Sequence, residues 1–169
     1  MLSQEELAQI GISPKNHDAQ YQRMSWDDYF MSLVNLLRKR SCDSQTQHAC
    51  VAVRNKVIIG TGFNSFPSGS DDENLPNIRP YKYAFINHAE EALIYNCAKL
   101  GIALEGCTLY VSGQCCSQCI RKVISVGIKD LVIGPITHVS SSTEDLLYRY
   151  WVESHKVNVR EYKGKVFSE

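Results

Sequence analysis

Asn-His-Ala-Glu at residues 87–90 and Cys-Ser-Gln-Cys at residues 116–119 are the two stretches that decide the fold and the chemistry of this chain. His88, Cys116 and Cys119 form a ligand set suited to zinc, and three protein ligands leave the fourth tetrahedral position for water. Glu90 follows the histidine closely and can act on the protons of that water as a general acid and base. The two stretches therefore predict a catalytic zinc site.

Less specific interpretations of these residues remain open from the sequence. A single histidine or a single Cys-x-x-Cys is usually structural or redox-active, and a closed zinc knot would use the same residue types. The conjunction of both halves favours the catalytic interpretation, since a structural site needs no carboxylate at Glu90. The interval between His88 and Cys116 leaves room for a helix, a turn and a strand.

The composition is that of a globular chain with no bias toward nucleic acid or membranes. Apolar residues make up 44% and charged residues 21% of the 169 positions, which suits one domain with a normal core. Lysine plus arginine and aspartate plus glutamate number 18 each, and a net charge of zero argues against binding to a polynucleotide. No apolar run is framed like a signal peptide or long enough to span a bilayer. We therefore expect a cytoplasmic protein whose seven cysteines are reduced.

The hydrophobic pattern predicts an α/β fold in which helices flank a mixed five-stranded sheet. Residues 1–24 are polar and irregular apart from a short helix over 4–10, so we expect an N-terminal arm followed by one domain at 25–169. Helices are predicted at 25–40, 88–100, 116–126 and 142–153, and strands at 49–53, 57–61, 108–111, 131–133 and 157–162. Strands alternating with helices indicate a three-layer α-β-α arrangement.

Both halves of the candidate site fall at the start of a predicted helix. The free N–H groups and the dipole at a helix N-terminus favour anions, so Cys116 and Cys119 should lose their protons readily. Cys115 offers a competing thiol, but pairing it with Cys119 changes the spacing to Cys-x-x-x-Cys. We therefore predict that Cys115 is not a ligand.

Several motifs agree in pointing to one family. His-x-Glu followed by Pro-Cys-x-x-Cys marks zinc-dependent nucleobase deaminases, and the two stretches match it except that Cys115 replaces the proline. Trp-Asp-Asp-Tyr-Phe-Met at 26–31 and Asp-Asp-x-x-Leu-Pro at 71–76 are typical of one branch. Further matches are Arg-Ser at 40–41, Gly-Thr-Gly-Phe-Asn at 60–64, Leu-Tyr-Val at 109–111 and Gly-Ile-Lys at 127–129. Over about residues 25–162, the sequence thus resembles the deoxycytidylate (dCMP) deaminases of the cytidine deaminase superfamily.

The resemblance implies a cytidine-deaminase-like fold and the hydrolytic deamination of dCMP to dUMP and ammonia, which feeds thymidylate synthesis. It also implies one catalytic Zn²⁺ per subunit, held by His88, Cys116 and Cys119. Glu90 would then be the catalytic proton shuttle.

Three residues are expected to contact the nucleotide substrate. The resemblance places Asn64 beside the nucleotide sugar, and we assign Ala89, between the ligand and the glutamate, to the same pocket. Arg40 belongs to a basic cluster at the end of the first helix and is our candidate for the phosphate contact. A solvated basic face is the competing interpretation of that cluster.

The resemblance further implies regulation and assembly. Members of the family are typically homohexamers that dCTP activates and dTTP inhibits at a separate site, with Mg²⁺ accompanying the triphosphate. Gly62, Phe63, Asp71 and Asp72 fall where that allosteric site is built. Phe63 replaces the usual tyrosine and Ser65 the usual glycine, so this part of the resemblance is less complete than the zinc motif.

Two other classes of function remain open from the residues alone. One is the deamination of another substrate: a free nucleoside, dCTP, a modified dCMP or, against the zero net charge, a tRNA adenosine. The other is a catalytically silent zinc regulatory module. An intact Glu90 argues against the second class, and ammonia release from a panel of nucleotides separates the alternatives.

Overall fold

A mixed five-stranded sheet forms the centre of the molecule, as the sequence pattern predicts. The computed structural model describes residues 1–13, 18, 20–137 and 140–168. The strands are β1 (Ala49–Arg54), β2 (Val57–Phe63), β3 (Thr108–Val111), β4 (Asp130–Ile133) and β5 (Asn158–Glu161). They lie in the order β2-β1-β3-β4-β5, where β1 is antiparallel to both of its neighbours and β3, β4 and β5 are parallel.

Helices connect most of the strands along the chain. Those within the described residues are α1 (Gln4–Gln9), α2 (Trp26–Arg38), α3 (Ala89–Lys99), α4 (Ser117–Ser125) and α5 (Ser142–Ser154), together with a 3-10 helix at Tyr81–Ala84. Helix α4 connects β3 to β4 and α5 connects β4 to β5, as parallel neighbours require a crossover. None of the helices in the described part of the chain is both long and apolar enough to cross a membrane.

The β1–β2 hairpin turns on two residues. Asn55 and Lys56 have φ angles of 53° and 64°, the left-handed conformation that a tight turn between twisted strands requires. The sequence predicts this turn, and the hairpin places β2 at the edge of the sheet and β1 inside it.

The side chains of β1 alternate between the two faces of the sheet, which are covered by different helices. Val51 belongs to a hydrophobic cluster with Phe30 and Met31 of α2, whereas Cys50 belongs to a second cluster with Leu93 of α3. Helices α4 and α5 contribute buried residues to the second cluster. The three-layer α-β-α arrangement is therefore confirmed.

Helix α2 is also tied to the far edge of the sheet. The Asp27 carboxylate accepts hydrogen bonds from the Tyr110 hydroxyl at 2.8 Å and from Arg160 of β5 at 2.6 and 2.7 Å. The Tyr162 hydroxyl donates to Asp28, and the Asn35 amide donates to the carbonyl of Val166 at 3.1 Å. The acidic pair that follows Trp26 in the sequence thus joins the start of the domain to its last strand.

Several predicted boundaries differ from the observed ones. Residues 88 and 116 are N-caps rather than first helical residues, and α5 is capped by Ser141 rather than by Ser142 or Thr143. The 3-10 helix at Tyr81–Ala84 lies in the long loop after β2 and was not predicted. The short helix of the N-terminal arm is confirmed as α1, and residues 14–17 and 19 of the predicted arm lie outside the described residues.

Candidate active site

The three predicted zinc ligands come together at the starts of α3 and α4. The Nδ1 atom of His88 lies 3.5 Å from Sγ of Cys116 and 3.4 Å from Sγ of Cys119. One ligand atom from each residue lies within 4.8 Å of the others. Zinc–nitrogen and zinc–sulfur bonds of about 2.1 and 2.3 Å place tetrahedral donors about 3.6 Å apart. The observed separations fit a single zinc ion.

Helix capping explains why these side chains meet. His88 and Cys116 occupy the N-cap positions of α3 and α4, and the Cys116 sulfur accepts a hydrogen bond from the backbone N–H of Cys119 at 3.4 Å. The Glu91 carboxylate accepts from the backbone N–H of His88 at 2.9 Å and forms an ion pair with Lys122 of α4. The two ligand-bearing helices are therefore joined directly.

Helix α5 also contacts the first residue of α4. The Glu144 carboxylate accepts hydrogen bonds from the backbone N–H and the hydroxyl of Ser117, at 2.5 and 3.0 Å. Because the first N–H groups of a helix have no partner within the helix, Glu144 supplies one from outside. The turn that carries both cysteines is held by these contacts.

The ligand residues polarise one another. Hydrogen bonds with Cys119 and His88 lower the pKa of the Cys116 thiol to about 4, and the hydrogen bond with Cys116 raises the pKa of His88 to about 8. The hydrogen bond with Cys116, together with burial, raises the pKa of Cys119. The lowered pKa favours the thiolate form of Cys116 that binds metal, and a bound metal ion would replace the proton on His88.

Glu90 lines the same cavity as two of the metal ligands, His88 and Cys116. The side chain is buried, with 6% of the residue exposed, and the cavity beside it has a volume of about 180 Å³. The other residues that line this cavity are Asp43, Thr46, His48, Asn64, Arg79, Lys82, Tyr83, Ile86, His88, Gln114 and Cys116. A carboxylate, two of the three metal ligands and several polar side chains therefore face one cavity.

Of the predicted substrate contacts, Asn64 lines this cavity, whereas Ala89 is fully buried, does not line it and contacts Asn64 instead. Asn64 is buried and lines the cavity, and its Oδ1 accepts a hydrogen bond from the backbone N–H of Ala89 at 3.0 Å. Its Nδ2 donates to the carbonyl of Thr46 at 2.7 Å and to Asp43 at 3.4 Å. The backbone N–H of Ala89 is thus already engaged, while the second lone pair of Asn64 Oδ1 remains for a ligand.

The basic residues of the cavity are not those that the sequence suggested. Arg40 is exposed beyond the end of α2 and does not line the cavity. Arg79 and Lys82 line it instead. Lys82 is paired with Asp43, whereas none of the described residues forms an ion pair with Arg79. Arg79 lies in the loop that leads from β2 to the His-Ala-Glu stretch, and this position is the signal by which the sequence indicates it.

The four residues assigned to an allosteric site lie outside this cavity. A Cβ atom on Gly62 would lie 2.1 Å from the carbonyl oxygen of Ala89, so glycine is required where β2 passes α3. Phe63 packs, half-buried, against the cluster that includes α2. Asp71 accepts hydrogen bonds from the backbone N–H of Glu73 and the side chain of Asn74, and Asp72 is exposed.

Cys115 is buried and is not part of the group of ligand atoms around His88. Burial, together with the nearby Glu90 carboxylate, raises the pKa of its thiol. A neutral thiol at this position makes a poor competitor for the metal.

Comparison with known proteins places these residues within a region that matches a known family. The family described as the cytidine and deoxycytidylate deaminase zinc-binding region matches residues 24–135. The chain is 34% identical over 116 residues to deoxycytidylate deaminase of Homo sapiens, covering 64% of each chain. It is 31% identical over 142 residues to a probable deoxycytidylate deaminase of Drosophila melanogaster, covering 77% of this chain and 68% of that one.

The fold has solved counterparts. The structure of dCMP deaminase from the cyanophage S-TIM5, in complex with dCMP and dUMP, superposes with a TM-score of 0.65 at 18% identity, covering 84% of this chain and all of the other. At this identity, the similarity shows a shared fold. The chain spans 64% of the length of the human relative.

Proposed function

This chain belongs to the cytidine and deoxycytidylate deaminase family, and we propose on that basis that it is a zinc-dependent enzyme that hydrolyses dCMP to dUMP and ammonia. The observation that carries the proposal is the presence of Glu90 in the cavity that the ligands His88 and Cys116 also line. A structural zinc site requires neither an open ligand position nor a buried carboxylate beside it.

The roles of the residues follow from their positions. His88, Cys116 and Cys119 would hold Zn²⁺, which when bound lowers the pKa of a water molecule and supplies a nucleophile near neutral pH. Glu90 would carry both protons of the attacking water in turn, the first to N3 of the cytosine ring and the second to the amine that leaves as ammonia. Its burial keeps bulk water from competing for these transfers.

Asn64 and the basic residues of the cavity would orient the nucleotide. Both N–H groups of the Asn64 amide are engaged, so Asn64 Oδ1 accepts a hydrogen bond from a sugar hydroxyl. Lys82 is neutralised by Asp43, which leaves Arg79 as the better phosphate contact within a single chain. Arg40, the residue expected from the sequence, is retained as the competing candidate. Ala89, which is buried between His88 and Glu90, stays a proposed substrate-binding residue on the strength of its position in the sequence.

The broader role rests on family membership. We propose that the product dUMP supplies thymidylate synthesis in the cytoplasm, that the chain assembles as a homohexamer, and that dCTP and dTTP with Mg²⁺ regulate it. Gly62, Phe63, Asp71 and Asp72 are the proposed allosteric residues. Size-exclusion chromatography and rates at sub-saturating dCMP, with and without each triphosphate, test this part independently of the chemistry.

The deciding experiment is ammonia release from a matched panel. Zinc-loaded protein is incubated with dCMP, deoxycytidine, dCTP and 5-methyl-dCMP, with Glu90→Gln as the inactive control. We expect dCMP to have the highest kcat/KM. A higher value for another cytosine compound would reassign the substrate, and no release from any of them, at full zinc occupancy, would favour a silent regulatory module.

A further inference from the structure

A buried ion pair lies at the edge of the candidate site. The Nζ atom of Lys82 is 2.6 Å from both carboxylate oxygens of Asp43, and each side chain is only 4% exposed. The Asp43 carboxylate also accepts hydrogen bonds from the backbone N–H groups of Gln45 and Thr46, both at 2.9 Å. Buried ion pairs often add little to stability, because desolvation offsets their attraction. A role other than stability is therefore worth seeking for this pair.

The pair fixes the orientation of the Asn64 amide. Nδ2 of Asn64 faces the Asp43 carboxylate at 3.4 Å and the Thr46 carbonyl at 2.7 Å, so both of its neighbours on this side are acceptors. A flipped amide would place its oxygen against the Asp43 carboxylate, where two acceptors repel. Because Lys82 keeps Asp43 ionised and in place, the ion pair selects one of the two amide orientations.

That orientation in turn anchors the start of α3. Oδ1 of Asn64 accepts a hydrogen bond from the backbone N–H of Ala89, the first residue of α3, at 3.0 Å. This N–H has no partner within the helix, and a flipped amide would present N–H groups to it. Ala89 stands between His88 and Glu90, so its position sets both of these side chains.

We propose that Asp43 and Lys82 are positioning residues of the site: through the Asn64 amide, their ion pair holds His88 and Glu90 in place for metal binding and proton transfer. The catalytic half of this proposal rests on the proposed deaminase function, whereas the metal-binding half does not. Lys82 belongs to the 3-10 helix and Asp43 to the loop after α2, so the pair also joins two loops at the cavity.

A double-mutant cycle tests the proposal. One variant removes both charges together, Asp43→Asn with Lys82→Met, which avoids leaving an unpaired buried charge. The other is Asn64→Ala, and the third combines all three changes. The exposed pair of Glu161 and Lys163, changed to Gln and Met, is the matched control. The readouts are the Co²⁺ affinity of the site, kcat for dCMP and thermal unfolding.

We expect each of the first two variants to lose about tenfold to a hundredfold in Co²⁺ affinity, the usual effect of removing a group that orients a metal ligand. Since both act through Ala89, the triple variant should bind Co²⁺ no more weakly than Asn64→Ala alone, and the surface control should match the unmodified protein. For the double charge variant, kcat should fall more than KM rises.

Two results would overturn the proposal. One is a loss of Co²⁺ affinity in the triple variant equal to the product of the losses in the other two variants. The other is an unchanged Co²⁺ affinity in the double charge variant. If the double charge variant does not fold, Asp43→Asn alone replaces it, since it keeps the side-chain volume and an oxygen for Lys82. Its Co²⁺ affinity should fall in the same direction, and equality with the unmodified protein would likewise reject the role. Absence of dCMP turnover in the unmodified protein would reject the proposed function while leaving the Co²⁺ cycle to test positioning.

Discussion

Replacing Arg79 with Gln should separate recognition of the nucleotide phosphate from recognition of the base. Arg79 lines the cavity and Arg40 does not, so the two residues form a matched pair of perturbations. A hydrogen bond to a charged group contributes about 1.5–3 kcal/mol. Because Arg79 is exposed and solvent screens its charge, we take about 1.5 kcal/mol, the lower end. That value corresponds to about a tenfold loss.

The assay compares dCMP with deoxycytidine, which lacks the phosphate. For Arg79→Gln we expect kcat/KM for dCMP to fall about tenfold, mainly through KM, because the contact is made in both the ground state and the transition state. The value for deoxycytidine should stay within about twofold, since this substrate lacks the phosphate that Arg79 would contact.

Two results would refute this reasoning. Equal losses on both substrates would mean that Arg79 supports the loop and does not contact phosphate. If kcat/KM for dCMP falls selectively in Arg40→Gln and not in Arg79→Gln, the assignment of Arg40 from the sequence is correct. The phosphate of bound dCMP would then extend out of the cavity toward the end of α2.

Three further outcomes are expected. Glu90→Gln should retain zinc, measured by metal analysis, and lose about 10²–10⁴ in kcat, and near-normal turnover would remove Glu90 from the mechanism. Cys115→Pro should keep both metal and activity while Cys116→Ser loses the metal, and the reverse pattern would show that the ligand register is wrong. The hydrogen bond from Arg160 lowers the pKa of Asp27, so the stabilising contact is present at neutral pH and is lost as the pH falls below about 4, through the folded-state pKa. Asp27→Asn should therefore lower the Tm at pH 7 and show a smaller further loss between pH 5 and pH 3, and parallel Tm–pH curves for the two proteins would contradict this.

The features that could be predicted from the sequence are those with local signals. The sequence predicts His88 and Cys116 at helix starts because a metal-ligand motif and a helical pattern of apolar residues begin there together. The structure differs only in that both residues are N-caps. The hairpin turn at Asn55 could be predicted because polar residues separate two apolar runs. In each case the decisive residues are neighbours in the chain.

The features that could not be predicted depend on distant residues. Asp43 and Lys82 are 39 positions apart and lie in segments without hydrophobic periodicity, so nothing local indicates that they are buried together. Arg40 was assigned to the substrate because basic residues cluster around it. Clustering does not determine which residues face a cavity, and Arg40 is exposed beyond the last turn of α2 and does not line this one.

The bond between Asp27 of α2 and Arg160 of β5 has a consequence for the order in which the chain folds during synthesis. It joins residues 133 positions apart, so α2 emerges from the ribosome early and can complete its contacts only after nearly the whole domain has been made. Contacts this distant in sequence form late, because a long loop must close before they contribute. The segment from 88 to 119 has much shorter loops to close. All three predicted metal ligands are therefore present in the nascent chain before the residue that completes the contact between α2 and β5 has been made.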